Sequence, residues 1–253
     1  MKKRYFGWIK DKVDKRDFLF FPLREVVAVR PIKVNLTNQM PPVYNQGDLG
    51  SCTANAINGT VEFLNMKQHK EKWTPSRLFV YYNEREMEGT IGRDAGASIR
   101  DGIKSINAQG VCKEDPTWPY DIKKFTMKPN PKAYAEAMLH QSLKYLKVSQ
   151  VKSDIETRLY QGLPIVCGIK VYESFMKAET TGVVPMPKTG WFGEKLLGGH
   201  AIMIVGYDSV KNVFFCRNSW GDKWGDKGYF TIPYAYILSS KLSSDFWTIT
   251  LME

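Results

Sequence analysis

Along the chain, apolar positions recur first at helical and later at strand spacing. After the glycine-bearing turn Asn45-Gln46-Gly47-Asp48-Leu49-Gly50, the residues Ala56, Thr60, Phe63, Leu64 and Lys67 repeat at three- and four-residue intervals. That spacing predicts a long buried helix running to about Lys70, with Ser51 as its N-cap and Cys52 in its first turn. A second helix is expected from Thr74-Pro75-Ser76, carrying Leu78, Phe79, Tyr81 and Tyr82. A third is expected over Ser98–Ala108, with Ile99, Ile103 and Ile106 inward and Gly110 as its stop. A fourth is expected over Pro131–Gln141. Beyond about Ser142 the pattern turns to short runs with strand character: Tyr145–Val148, Ile165–Val171, Ala201–Tyr207, Val213–Arg217, Tyr229–Ile232 and Phe246–Leu251.

Helices followed by antiparallel strands predict an α+β fold in two lobes, helical over about 34–141 and β-rich over about 142–253, with a site in the cleft between them. Residues 1–33 stand apart. They mix charge with Tyr5, Phe6, Trp8 and Phe18–Phe21 and end in Arg30-Pro31, so they are expected as an extension packed on the rest, across the cleft or along the back of a lobe.

Composition narrows the class. With 253 residues, 43% hydrophobic and 13% aromatic, the chain is a folded globule rather than a disordered or fibrous one. No apolar run approaches the roughly 18 residues of a membrane helix. The basic start Met1-Lys2-Lys3-Arg4 meets Lys10-Asp11-Lys12 before any apolar segment forms. Residues 1–30 hold nine basic and four acidic side chains, half of the net charge of +10. A nucleic-acid role for that segment is conceivable, but a solvated surface is the simpler reading. Cys167 and Cys216 sit in apolar runs as small hydrophobes, and three histidines leave few ligands for a metal. His69 and His140, at charged helix ends, are expected at the surface.

Three segments carry polar residues that a core would not select. In Gln46-Gly47-Asp48-Leu49-Gly50-Ser51-Cys52, a thiol opens a helix, where a thiolate is favoured. There the Cys52 N–H and the Gln46 side chain can both face an oxyanion. In Gly198-Gly199-His200-Ala201-Ile202, a histidine opens an apolar strand. In Cys216-Arg217-Asn218-Ser219-Trp220, an asparagine ends one and an aromatic follows. Together they supply nucleophile, base and orienter for acyl transfer.

The Gln-x5-Cys spacing, the Gly-His strand and Asn-Ser-Trp-Gly-x2-Trp-Gly-x2-Gly-Tyr (Asn218–Tyr229) resemble the papain-like (C1) cysteine peptidases, in order from about Val34 to the end. The run Pro41-Pro42-Val43-Tyr44 through Cys52-Thr53-Ala54 is most similar to bacterial and large-virus, cathepsin-like members. The resemblance implies a papain-like fold, with a long central helix in one lobe and a barrel-like antiparallel sheet in the other. It implies Cys52 as nucleophile, His200 as its base, Asn218 orienting the ring, Gln46 in the oxyanion hole and Trp220 shielding the His200–Asn218 bond. Substrate would lie extended along Gly96-Ala97, with Gly198, Gly199 and Trp220 also lining its site. Leu49 and Thr53 stand where plant and lysosomal members have Cys and Trp, so the usual disulfide beside the site cannot form. The expected function is therefore endopeptidase action on polypeptides, without cofactor, metal or membrane, by a monomer in the cytoplasm or another reducing compartment, virion packaging included. Transfer to an amine by a thiol acyltransferase or ligase, or binding by a degenerate peptidase, is the rival reading.

Overall fold

The computed structural model describes residues 4–21, 30–68, 72–190 and 192–252. Its centre is helix α1 (Cys52–Gln68), whose residues from Cys52 to Asn65 are all buried. A helix wrapped on every side needs its polar groups satisfied internally. Thr60 Oγ1 donates to the Ala56 carbonyl (3.3 Å) and Asn58 Nδ2 to that of Pro75 (3.3 Å). Gly59 lets the sheet close in, for a Cβ there would stand 2.8 Å from Met203 Cε. Helix α2 (Arg77–Met87) begins where Ser76 Oγ accepts from Phe79 N. Helix α3 (Ile99–Gln109) begins where Ser98 accepts from Asp101 N, and Gly110 ends it at φ +73°.

Helix α4 spans Pro131–Ala137, four residues less than the apolar spacing predicts. Met138 and Leu139 are exposed, so no face is left to bury, and the chain turns so that the His140 carbonyl accepts from Val111 N (3.1 Å). His140 is half-buried against Trp73, with ring centroids 4.5 Å apart, rather than on the surface. His69 lies outside the described residues.

The sheet runs in the order β4 (Ser142–Lys147), β9 (Ser243–Met252), β5 (Ile165–Tyr172), β6 (Leu196–Asp208), β7 (Val213–Arg217) and β8 (Tyr229–Pro233), antiparallel throughout. A short strand β2 (Lys33–Asn35), which the apolar pattern does not predict, pairs with Gly206–Asp208 of β6. The sheet is not closed into a barrel: β4 and β8 stand at opposite ends of the strand order and do not pair with each other. Alternate residues of β6 serve two cores. Ala201, Met203 and Val205 pack with α1 to α3, whereas Ile202, Ile204 and Tyr207 pack on the other face. There they meet Ile155 and Leu159 of helix α5 (Lys152–Tyr160), which lies in the region read as strands and was not expected. Among the described residues no helix is long and apolar enough to cross a membrane.

The extension is bound at several points. Strand β1 (Trp8–Ile9) pairs in parallel with β3 (Ala97–Ser98). Asp17 pairs with Arg100 (2.6 Å) and Lys147 (3.0 Å), and Phe18 and Phe20 exchange backbone hydrogen bonds with Lys147 (2.8 Å each).

Candidate active site

Cys52 is the first residue of α1, and the turn before it is fastened from four directions. Gly50 N donates to the Asp94 carboxylate (3.0 and 3.1 Å), Gln46 N to the Ser219 carbonyl (2.8 Å), Tyr120 Oη to the Gln46 carbonyl (2.9 Å) and Arg77 Nη1 to that of Asn45 (3.2 Å). Ser51 holds the expected N-cap position, its carbonyl accepting from Asn55 N (3.0 Å), while its hydroxyl bonds to the Tyr120 hydroxyl (2.6 Å) and accepts from Asn55 Nδ2 (3.1 Å). Cys52 Sγ accepts from Ala201 N at 3.4 Å, which sets the thiol beside the residue after His200.

His200 sits in β6 opposite Ile169. Its Nε2 donates to Asn218 Oδ1 (2.8 Å), an oxygen identified as the acceptor because Ser219 N also donates to it (2.8 Å). His200 Nδ1 is buried without a hydrogen-bond partner, so it is the nitrogen left to take a proton. Trp220 stacks on the imidazole, 4.6 Å between centroids at 29°, covering the His200–Asn218 bond. Ser219 Oγ donates to Gln46 Oε1 (2.7 Å), and this fixes which end of the amide turns inward. Gln46 Nε2 then donates to the carbonyls of Leu49 (2.8 Å) and Tyr5 (3.2 Å). Cys52, His200, Asn218 and Gln46 thus converge on one point, between α1 and β6.

That point is covered by the extension. Ala97 N donates to the Gly7 carbonyl (2.7 Å). A Cβ on Gly7 would overlap the Gly50 carbonyl oxygen, and one on Gly96, at φ +73°, would overlap the Gly7 carbonyl. Phe6 packs on Gly198 and stands edge-on to His200 (6.3 Å) and Trp220 (6.1 Å). Trp8 fills the room left by Gly168 and Gly199, with its Nε1 donating to Asp245 Oδ2 (3.0 Å). Asp11 N donates to the same oxygen (2.8 Å), while the Asp11 carboxylate accepts from Trp247 Nε1 (2.7 Å) and Arg100 N (3.2 Å). Arg4 reaches Glu179 (2.6 Å) across the face of Trp220. Gly96, Ala97, Gly198, Gly199 and Trp220 therefore all contact the chain's own residues 4–8.

With the cleft filled, Cys52 and His200 are both 0% exposed. Burial pushes the Cys52 thiol up to about 12 and the His200 imidazole down to about 4, the latter aided by the nearby Arg4 charge. Both groups are neutral in this state. Burial, then the neighbouring Asp245, pushes the Asp11 carboxyl up to about 6, and burial also raises Asp245. Burial raises Glu84 well above the usual carboxylate range beneath the nucleophile, where it accepts from Thr53 Oγ1 (2.6 Å).

Sequence reasoning missed three residues of this site. Ser219 lies within the Asn-Ser-Trp-Gly segment, but nothing in that segment points to Gln46. Asp94 stands two residues before Gly96, and its tie to Gly50 spans 44 residues. Asp245 sits at φ +60° beside a register irregularity between β5 and β9, a placement with no local signature.

The papain family of cysteine proteases matches residues 30–245. An uncharacterized peptidase C1-like protein of Acanthamoeba polyphaga mimivirus is 42% identical over 97% of this chain and 86% of its own length. The viral cathepsin of Adoxophyes honmai nucleopolyhedrovirus is 27% identical over 78% of this chain, which spans 55% of that relative. Among solved structures, xylellain, a cysteine protease from Xylella fastidiosa, superposes with a TM-score of 0.91 at 38% identity, covering 100% of this chain and 99% of its own. Digestive procathepsin L 3 of Tenebrio molitor, at 17% identity and a TM-score of 0.72 over 98% of this chain and 76% of its own, shares the fold. Matched by one family along most of its length, and by a bacterial member from end to end, the chain belongs to the papain family of cysteine proteases and is a cysteine peptidase.

Proposed function

We propose that the chain is an endopeptidase held latent by its own first residues, with Cys52 as nucleophile, His200 as base and acid, Asn218 orienting the ring and Gln46 serving the oxyanion. The observation that carries the reading is that the Tyr5 carbonyl occupies the Gln46 donor while Gly7 covers the thiol. When the extension lifts, water returns and the desolvation that keeps both groups neutral disappears. The thiol proton passes to His200 Nδ1, and the pair becomes thiolate and imidazolium, steadied by the start of α1. The thiolate attacks a substrate carbonyl, whose oxygen moves between Gln46 Nε2 and the Cys52 N–H. His200 protonates the leaving amine, then activates the water that frees the acyl group.

Chain direction explains why the extension blocks rather than reacts. The leaving amine must take its proton from His200, so a substrate's released segment lies on the Trp220 side and its acyl segment on the Ala97 side. The extension runs the other way, with Arg4 at Trp220 and Trp8 at Ala97. Its Tyr5–Phe6 bond therefore carries its nitrogen toward the Ala97 side, opposite to the leaving segment of a substrate.

The substrates are polypeptides, and the reading takes the enzyme as a monomer that needs no nucleic acid. Four free, buried cysteines suit a reducing compartment. The test is alkylation by an epoxide specific for activated thiols in full-length Gly7→Ala, whose added methyl cannot fit against Gly50. Stoichiometric labelling of Cys52, lost when His200→Ala is added, is the expected result. A folded Gly7→Ala that stays unlabelled refutes the reading. Hydrolysis in the presence of an added amine separates a peptidase from an acyltransferase by its products.

A further inference from the structure

The face of Trp220 holds a cation. Arg4 Cζ lies 5.0 Å from the indole centroid, and Arg4 Nη2 donates to Glu179 Oε1 at 2.6 Å. Trp220 is also the ring stacked on His200, so this cation rests one aromatic layer from the imidazole. Glu179 belongs to a single helical turn, α6 (Ala178–Thr181), whose backbone is fixed from outside: the Glu179 carbonyl accepts from Gly225 N (2.9 Å). The surrounding cavity, about 820 Å³, is lined by Asp48, Glu179 and Asp222 against the single Lys223, apart from Arg4 itself. Three carboxylates against one lysine in that lining favour a positive guest, and an indole attracts a guanidinium or ammonium through its ring electrons.

This inference rests on the reading above, in which residues 4–8 vacate the cleft for substrate. We propose that Trp220 and Glu179 then form a cation subsite for the leaving segment, selecting an arginine or lysine among the first two residues after the scissile bond. Side-chain recognition here does not depend on chain direction. Arg4 comes from a reversed segment, yet what holds it is a carboxylate and a ring face, and both remain when it leaves. The subsite also lies where a released segment must pass, next to the histidine that protonates its amine.

The experiment uses full-length Arg4→Ala/Gly7→Ala, in which the extension is displaced and its own arginine cannot compete. Quenched fluorescent peptides, identical on the acyl side, carry Arg, Lys, citrulline or Ala at each of the first two leaving positions. The expected kcat/KM for Arg or Lys exceeds that for Ala by about five- to tenfold, the scale of a part-exposed ion pair joined to a cation–π contact. Citrulline, which keeps the shape without the charge, is expected to match Ala. Adding Glu179→Gln is expected to bring the Arg-to-Ala ratio down to about two. Cys52 labelling is measured alongside. A labelled chain that cleaves all four peptides equally, or a ratio untouched by Glu179→Gln, overturns the subsite while leaving the occlusion standing. A folded chain that takes no label overturns both.

Discussion

Raising the pH from 4 to 7 loosens the docked extension, because docking buries Asp11 against Asp245. The Asp11 carboxyl moves from its ordinary 3.8 to about 6, through burial first and the Asp245 charge second. Well below pH 3.8 it is protonated whether docked or free, and docking is strongest there. Between pH 4 and 6 the docked carboxyl keeps a proton that the free one has lost, so each rise in pH weakens docking. Above pH 6 the loss is complete: about 3 kcal/mol, or roughly 100-fold, at ~1.4 kcal/mol for each factor of ten in proton affinity. Burial raises Asp245 as well. The other charges around the pair are Lys10, which favours ionised Asp245, and Arg100, which favours ionised Asp11 and is itself held by Asp17 and the Lys12 carbonyl. The assay is the rate of epoxide labelling of Cys52 in the full chain divided by that of Gly7→Ala, from pH 4 to 7. The ratio removes the thiol's own ionisation and reports opening alone. It is expected to climb by about two orders of magnitude, with most of the rise below pH 6, and to lose that climb in Asp11→Asn. A flat ratio, or the same climb in Asp11→Asn, refutes the carboxylate pair as its cause.

Other consequences are as direct. In Gly7→Ala, adding Ser219→Ala releases the Gln46 amide and is expected to lower kcat for peptide hydrolysis by about tenfold with little change in KM; an unchanged kcat contradicts the role given to that hydrogen bond. Burial raises the Glu84 carboxyl well above the usual carboxylate range, so Glu84→Gln is expected to change unfolding free energy in urea by no more than about 1 kcal/mol, whereas Glu84→Ala loses about 2–4 kcal/mol. A loss of several kcal/mol for the glutamine form would mean a buried charge instead. The reversed extension is expected to survive prolonged incubation with its Tyr5–Phe6 bond whole by mass spectrometry, and cleavage there would contradict the direction argument.

The site was legible where chemistry coincided with element ends. Cys52 opens a helix, His200 follows two glycines into an apolar strand and Asn218 ends another, so each polar residue stood out against its neighbours. Ser76 and Ser98 marked two helix starts for the same local reason. Less was visible where the decisive contact is distant. Helix α5 presents few apolar residues, and Leu196-Leu197-Gly198-Gly199 hides the first third of β6, because glycines break the strand pattern. The seat of the extension was open between cleft and lobe back. It depends on Gly168 and Gly199 making room for an indole, and on Asp245, 237 residues away, offering the acceptor. Nothing local to Trp8 encodes that meeting.

The most direct test of a latent peptidase is the hydrolysis of one general peptide substrate at neutral pH by the wild-type chain and by Gly7→Ala. Displacing the extension is predicted to raise kcat/KM by at least about tenfold, with all of the gain lost when Cys52→Ala is added. A folded Gly7→Ala that cleaves no faster than wild type would contradict the account, because the group that collides with Gly50 would then leave the cleft as it was.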